Sequence, residues 1–122
     1  MSYTSAQVFC LLNNIFPANP HRRVFSEHYV NFHNTRLFFD FYVPESLLFV
    51  ECQGEQHNKF VKHFHGTAEN FRSQKHRDNL KITYVQENNL YLIRLYNGED
   101  ITKEIIYDRI YKAFASDYNF SD

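Results

Sequence analysis

Two acidic residues stand where apolar ones belong. Asp40 interrupts the run Leu37-Phe38-Phe39-Asp40-Phe41-Tyr42-Val43, and Glu51 follows Leu47-Leu48-Phe49-Val50. An ionised carboxylate in an apolar strand is costly unless a cation or hydrogen bonds offset it. Strand alternation puts Glu51 and Gln53 on one face. A hairpin register setting Asp40 opposite Glu51, or opposite Phe49, brings all three oxygen-bearing side chains together, whereas a one-residue slip sends Asp40 to the other side. The convergent register is the expectation. Two carboxylates and an amide oxygen form a hard-oxygen site suited to magnesium, with manganese as substitute. Such an ion serves phosphodiester hydrolysis by polarising the phosphoryl oxygen and acidifying a bound water. The alternative is that each acid meets an arginine near a strand end, Arg36 or Arg94 for instance.

Three further residues extend the constellation. His57 lies four residues beyond Gln53, after Gly54, where a neutral imidazole can accept a proton from an attacking water. Asp78 and Lys81 are three apart and share one helix face. Asp78 there orients His57 or reaches metal through water, and Lys81 steadies the phosphate; the plainer alternative is a salt-bridged helix surface. Zinc held by His57, His63, His65 and His76 with Cys52 is a different chemistry, but the spacing matches no standard finger. There is no G-x-S-x-G element and no Gly-rich phosphate loop, and Cys52 sits inside an apolar strand.

The elements that must position these groups follow from periodicity. Val8, Leu11, Leu12 and Ile15 mark one face of a helix over 5–16, ended by Pro17 and Pro20. A short strand is expected around Val24 to Val30 and a turn at Asn34-Thr35. Two strands, Leu37–Val43 and Leu47–Gln53, are joined through Pro44-Glu45-Ser46. A polar loop follows from Glu55 to about Gly66. Residues 68–87 predict a long helix with Phe71, Gln74, Asp78, Lys81 or Ile82, and Val85 on one side. Tyr91–Leu95 is a strand, and Asp100 or Thr102 caps a last helix carrying Ile105, Ile106, Ile110 and Phe114. The order predicts an α/β fold, a mixed sheet with helices packed on its faces.

The 122 residues, 43% hydrophobic, suit one domain with a real core. The start, MSYTSAQVFCLL, lacks the features of a secretion signal, no apolar run is long enough to span a bilayer, and two cysteines make no disulfide framework. A cytoplasmic setting, in a bacterial or phage-infected cell, is the expectation, with no membrane partner. The net charge of −1 hides an uneven distribution. Lys59, Lys62, Arg72, Lys75 and Arg77 lie between His57 and Arg77 against one acid, Glu69. Such a local positive surface can neutralise the phosphates of DNA.

The segment FDFYVPESLLFVECQGEQH, followed by FHGTAENFRSQKHRDNLKITYVQENNLYLIRLY, resembles the PD-(D/E)XK nuclease superfamily. More narrowly it is similar to the branch holding phage and intron-associated homing endonucleases and very-short-patch mismatch-repair endonucleases. That branch shows F-D-F-Y-x-P, an E-x-D-G-x-Q-H element, a helix with Asp and Lys three apart, and a strand ending in L-I-R-I. The resemblance spans about residues 37–96. It implies a restriction-endonuclease-like core of α-β-β-β-α-β order within a single nuclease domain over 1–122, and a magnesium-dependent endodeoxyribonuclease. Carried over by position, Asp40 is the metal-binding aspartate, Glu51 the first acid of the E-x-K-type motif, His57 the histidine near the scissile phosphate, and Asp78 the helical acid. Glu27, the only acid before Asp40, takes the upstream glutamate role. Gln53 stands where the superfamily has Lys and this branch often Asp, so Lys81 is expected to supply the missing cation. No separate DNA-reading module is recognisable, which leaves site specificity to loops, a homodimer or a larger DNA-recognising partner. A nicking repair nuclease, a junction resolvase and a non-catalytic DNA-binding module on the same fold are the competing readings.

Overall fold

The computed structural model describes residues 3–53 and 68–122; the expected loop from Glu55 to Gly66, with His57, Lys59 and Lys62, lies outside them. The first helix, α1, spans Tyr3–Ile15 and buries Val8 and Leu12, with Leu11 and Ile15 beside them. Its spacing of three and four residues puts this stripe on one face. Strand β1 (Phe25–Phe32) is longer than expected and pairs antiparallel with β2 (Thr35–Val43). Between them His33 and Asn34 both have positive φ, 51° and 60°. That is the backbone of a two-residue hairpin turn whose twist matches the strands, and His and Asn tolerate it better than most side chains.

A single 3-10 turn, Pro44–Ser46, leads into β3 (Leu48–Gln53). Leu47, expected inside the strand, instead has φ 54° and closes the turn, its N–H donating to the Pro44 carbonyl at 3.1 Å. Helix α2 (Ala68–Glu87) crosses over to β4 (Tyr91–Tyr96), parallel to β3. Asn89, at φ 56°, ends α2, and Leu90 N–H reaches back to the Val85 carbonyl at 2.8 Å. Helix α3 (Lys103–Ala115) is capped by Thr102, not Asp100, whose hydroxyl accepts from Ile105 N–H at 3.3 Å. Ile106 and Ala113 are its buried residues, whereas Phe114 is half exposed. A two-residue strand unseen in the sequence, β5 (Phe120–Ser121), runs parallel to β4 and completes a five-stranded mixed sheet in order β1-β2-β3-β4-β5.

The fold is therefore α/β with helices on both faces. Helices α1 and α3 cover one face through Val8, Leu12, Val50, Ile93, Leu95 and Ile106. On the other, α2 packs Val85 and Tyr84 against Leu37, Phe39, Phe49 and Leu92. Because β3 is covered on both sides, Leu48, Phe49, Val50 and Glu51 are all buried, and its apolar run is continuous for that reason. No helix among the described residues is long and apolar enough to cross a membrane.

Strand β2 departs from regular alternation at one residue. Phe39 meets Phe49 and Tyr84 on the α2 side, with ring centroids 4.2 and 6.2 Å apart, whereas Phe41 stacks on Phe9 of α1 at 5.6 Å. Residues two apart in a strand should share a face. The exchange falls at Asp40: the β1–β2 ladder skips the Glu27–Asp40 position, and Glu27 has φ 54°. The β2–β3 ladder also stops there, at Phe41–Val50. Among the described residues, β2 from Thr35 to Asp40 therefore pairs with β1 alone.

Asn89 holds a left-handed conformation that costs most side chains free energy. Asn89→Ala is expected to lower stability by about 1 kcal/mol, read as a lower urea midpoint with unchanged slope, while Asn89→Gly holds or raises the midpoint.

Candidate active site

Continuing the β2–β3 register by one step sets Asp40 opposite Glu51. The ladder does not take that step, because Asp40 uses its side chain: Oδ2 accepts from the Cys52 N–H at 2.9 Å. A carboxylate thus replaces a backbone carbonyl as partner for β3, and β2 parts from β3 at this residue. The opening is a cavity of about 360 Å³ lined by Asp40, Glu51, Gln53, Asp78 and Lys81, with Arg36, Phe38, Gln74 and Arg77 completing its wall. Asp40, Glu51 and Gln53 come together as the convergent register requires.

Glu51 is 1% exposed and its carboxylate is fully engaged. Lys81 Nζ donates to Oε1 in a close ion pair; Arg94 Nε and Gln53 Nε2 each donate to Oε2 at 3.0 Å. Lys81 reaches it from α2 and Arg94 from β4, where the parallel register places Arg94 directly beside Glu51. The arginine partner weighed as an alternative is thus present for Glu51, and it is Arg94. Arg36 takes another course, its guanidinium lying 3.9 Å over the ring of Tyr29.

Asp78 is buried beneath the cavity, its carboxylate 3.8 Å from Arg94 Nη2, which also donates to the Asp78 carbonyl at 3.5 Å. Arg109 of α3 donates to the Arg94 carbonyl at 2.8 Å and pairs with Glu99. Four elements, β3, α2, β4 and α3, are thereby linked through polar side chains. On its far side the same cluster borders a second cavity of about 490 Å³, lined by Lys75, Asn79, Tyr96 and Asp122 among others.

Burial, foremost, raises the Asp40 pKa above the ordinary 3.8; the Cys52 N–H opposes this, Glu51 adds to it, Lys81 lowers it and Glu27 raises it slightly. Glu27 is exposed on β1, across from Asp40, and does not line the cavity. The Cys52 thiol is pushed up to about 12 by burial and the Asp40 charge, so it stays protonated at neutral pH and is no nucleophile. Of the basic residues singled out in the sequence, Arg72, Lys75 and Arg77 are exposed on α2, and Arg77 alone of these lines the Asp40 cavity.

The residues present suit a divalent cation in kind: three carboxylates, Asp40, Glu51 and Asp78, line one polar cavity, and the Asp40 carboxyl is held up partly by the charge of Glu51, a repulsion that a cation between them relieves. Among the described residues no group of three or more His, Cys, Asp or Glu is gathered to hold a metal. Of the residues proposed for zinc, His57, His63 and His65 lie outside that set. Phe38 escaped the sequence reading of the site, and Arg36 entered it only as a possible partner for an acid; both line the cavity from the part of β2 just before Asp40.

No protein-family profile matches the chain, and no solved structure does. It is similar to the Uncharacterized protein 307L of Invertebrate iridescent virus 6, 45% identical over 69 residues, covering 56% of this chain and 35% of that protein. The matched region is thus about a third of its relative's length.

Removing the charge of Glu51 leaves two buried cations facing one another. Glu51→Gln is expected to destabilise the fold by about 3–5 kcal/mol, measured by urea denaturation. For Asp40 the sign is opposite. A carboxyl whose folded pKa is raised binds its proton more tightly when folded, so stability falls as pH rises from 3.8 through the raised value, and the penalty is full above it. Asp40→Asn should therefore raise Tm at pH 7, and the gain should vanish below pH 3.8 in a calorimetric pH series.

Proposed function

We propose that this chain is a metal-dependent endodeoxyribonuclease on a restriction-endonuclease-like core. The observation that carries the reading is the meeting of Asp40 and Glu51 on one cavity, with Lys81 on Glu51, at the point where β2 parts from β3. The element order, one helix, three antiparallel strands, a helix and a parallel strand, supports the core that the sequence motifs imply.

In this reading Asp40 and Glu51 hold magnesium, which when bound supplies charge to the phosphoryl oxygen and an acidified water. Arg94, planar and buried, keeps Glu51 Oε2 in place. Lys81, on a four-carbon stem at the cavity, is the partner that yields Oε1 and offers its ammonium to the scissile phosphate. That is the task a lysine at position 53 performs in the E-x-K pattern; Gln53 here donates to Glu51 and orients it. Asp78 acts through Arg94 as a positioning residue. His57 is the group assigned to take the proton of the attacking water or return one to the leaving oxygen. Arg72, Lys75 and Arg77, with Lys59 and Lys62, are assigned to DNA phosphates. A viral relative is in keeping with a nuclease carried by a virus or mobile element.

A second reading, a non-catalytic DNA-binding module, is favoured by one feature: both oxygens of Glu51 already have cationic partners. Nicking of supercoiled plasmid separates the two. Wild type with magnesium or manganese should nick, and Asp40→Asn should lose at least about a hundredfold in rate while still binding DNA. Full activity in Asp40→Asn removes that residue from the site. Absent nicking together with no manganese uptake in a calorimetric titration selects the module.

A further inference from the structure

The arm formed by β1 and the outer half of β2 has two faces of different character. One, with Val30, Phe32, Leu37 and Phe39, packs into the core under α2. The opposite face carries Tyr29 and Phe38, directly paired across the strands, and Asn31 opposite Arg36. None of these four contributes to either core. Tyr29 is 49% exposed and Arg36 is exposed. The Tyr29 ring lies 5.1 Å from that of Phe38, tilted by 53°, and the central carbon of the Arg36 guanidinium lies over the Tyr29 ring, 3.9 Å from its centre.

A carboxylate, Asp40, stands on the same cavity wall, and Arg36 nevertheless covers an aromatic ring. The result is an exposed planar cation over the ring of Tyr29, with Phe38 beside that ring. Bases of nucleic acid stack on aromatic and guanidinium planes, and they do so most readily when unpaired, because the stacking face of a paired base is already occupied by its neighbours. The platform is continuous with the acidic cleft, since Arg36 and Phe38 line the cavity that holds Asp40 and Glu51. Arg77 on the opposite wall provides positive charge for the backbone of the same strand.

We infer that Arg36, Tyr29 and Phe38 form a stacking platform for an unpaired base beside the bond to be cut, so that the preferred substrate is DNA with a single-stranded gap next to the scissile phosphate. The cutting step rests on the nuclease reading, but the platform binds without it. Tyr29 underlies the guanidinium and Phe38 stands beside Tyr29; Arg36 presents its plane to the base.

The test is a binding measurement that needs no cleavage. In the Asp40→Asn background, two fluorescent duplexes of equal length are titrated, one fully paired and one with a three-nucleotide gap containing 2-aminopurine. Gapped DNA should bind more tightly and quench the 2-aminopurine. Tyr29→Ala should weaken gapped binding by roughly fivefold to a hundredfold, the worth of one stacked base, and leave paired binding within about twofold. Arg36→Lys, which keeps the charge and loses the plane, should do the same and abolish the quench; Tyr29→Phe should retain it. Equal losses on both DNAs, or wild-type gapped binding by Arg36→Lys, would overturn the platform. Plasmid nicking by wild type with no preference for gapped DNA would also overturn it and leave the nuclease standing. Tyr29-dependent quenching without nicking would leave the platform and remove the nuclease.

Discussion

Glu51 sits in the central strand of the sheet with 1% of its surface exposed, between two cations that come from different elements. An unpaired carboxylate at that depth would not remain ionised. Lys81 and Arg94 make the position tolerable, and in doing so they fix the rotation of α2 over the sheet and the register of β4 beside β3. Asp78, three residues before Lys81, is carried by the same rotation onto Arg94. The link to α3 runs through the Arg94 carbonyl and Arg109. An ion cluster of this kind is a poor source of net stability, since apolar side chains of the same volume would serve a core as well. Its value is orientation: every polar group around Glu51 has one geometry.

The second constraint is the parting of β2 from β3. Strand pairing would normally continue past Phe41, but the Cys52 N–H is taken by the Asp40 carboxylate. One hydrogen bond replaces another while the backbone is freed to turn, so the ladder ends without leaving Cys52 N–H unpaired. The exchange of faces between Phe39 and Phe41 lets both helical layers draw on one strand, one ring for each. Glu27, with its left-handed backbone, absorbs the same irregularity on the neighbouring strand. Local departures of this sort bend strands and re-aim side chains, and here they open a polar cavity in an otherwise apolar sheet.

These two constraints together give the cavity its chemistry. One carboxylate is paired with two cations; the other is partly desolvated and feels its neighbour's charge. A site so divided has one acid already built into the frame and one whose ionisation a bound cation would assist. Basic and aromatic residues, Arg77 from α2 and Arg36 with Phe38 from β2, line the same cavity as these acids.

Periodicity in the sequence determined most elements: the apolar stripe of α1, the two strands around Pro44, the long α2 and the amphipathic α3. It also exposed Asp40 and Glu51, because a charge within an apolar run is conspicuous without any coordinates. Such signals are local, set by 3.6- and two-residue repeats. The tertiary structure alone decided which cation meets Glu51: Arg36 and Arg94 are equivalent in the sequence, but the β3–β4 register sets Arg94 directly beside Glu51, whereas the β2–β3 ladder ends before it reaches Arg36. It alone decided the break at Asp40, which arises from competition between a side chain and a ladder hydrogen bond, and the placing of β5, too short to carry a pattern. It also left Phe114 half exposed, because the last turn of α3 rests on Ala113. These outcomes depend on how elements pack against one another, and no repeat within a single element encodes that.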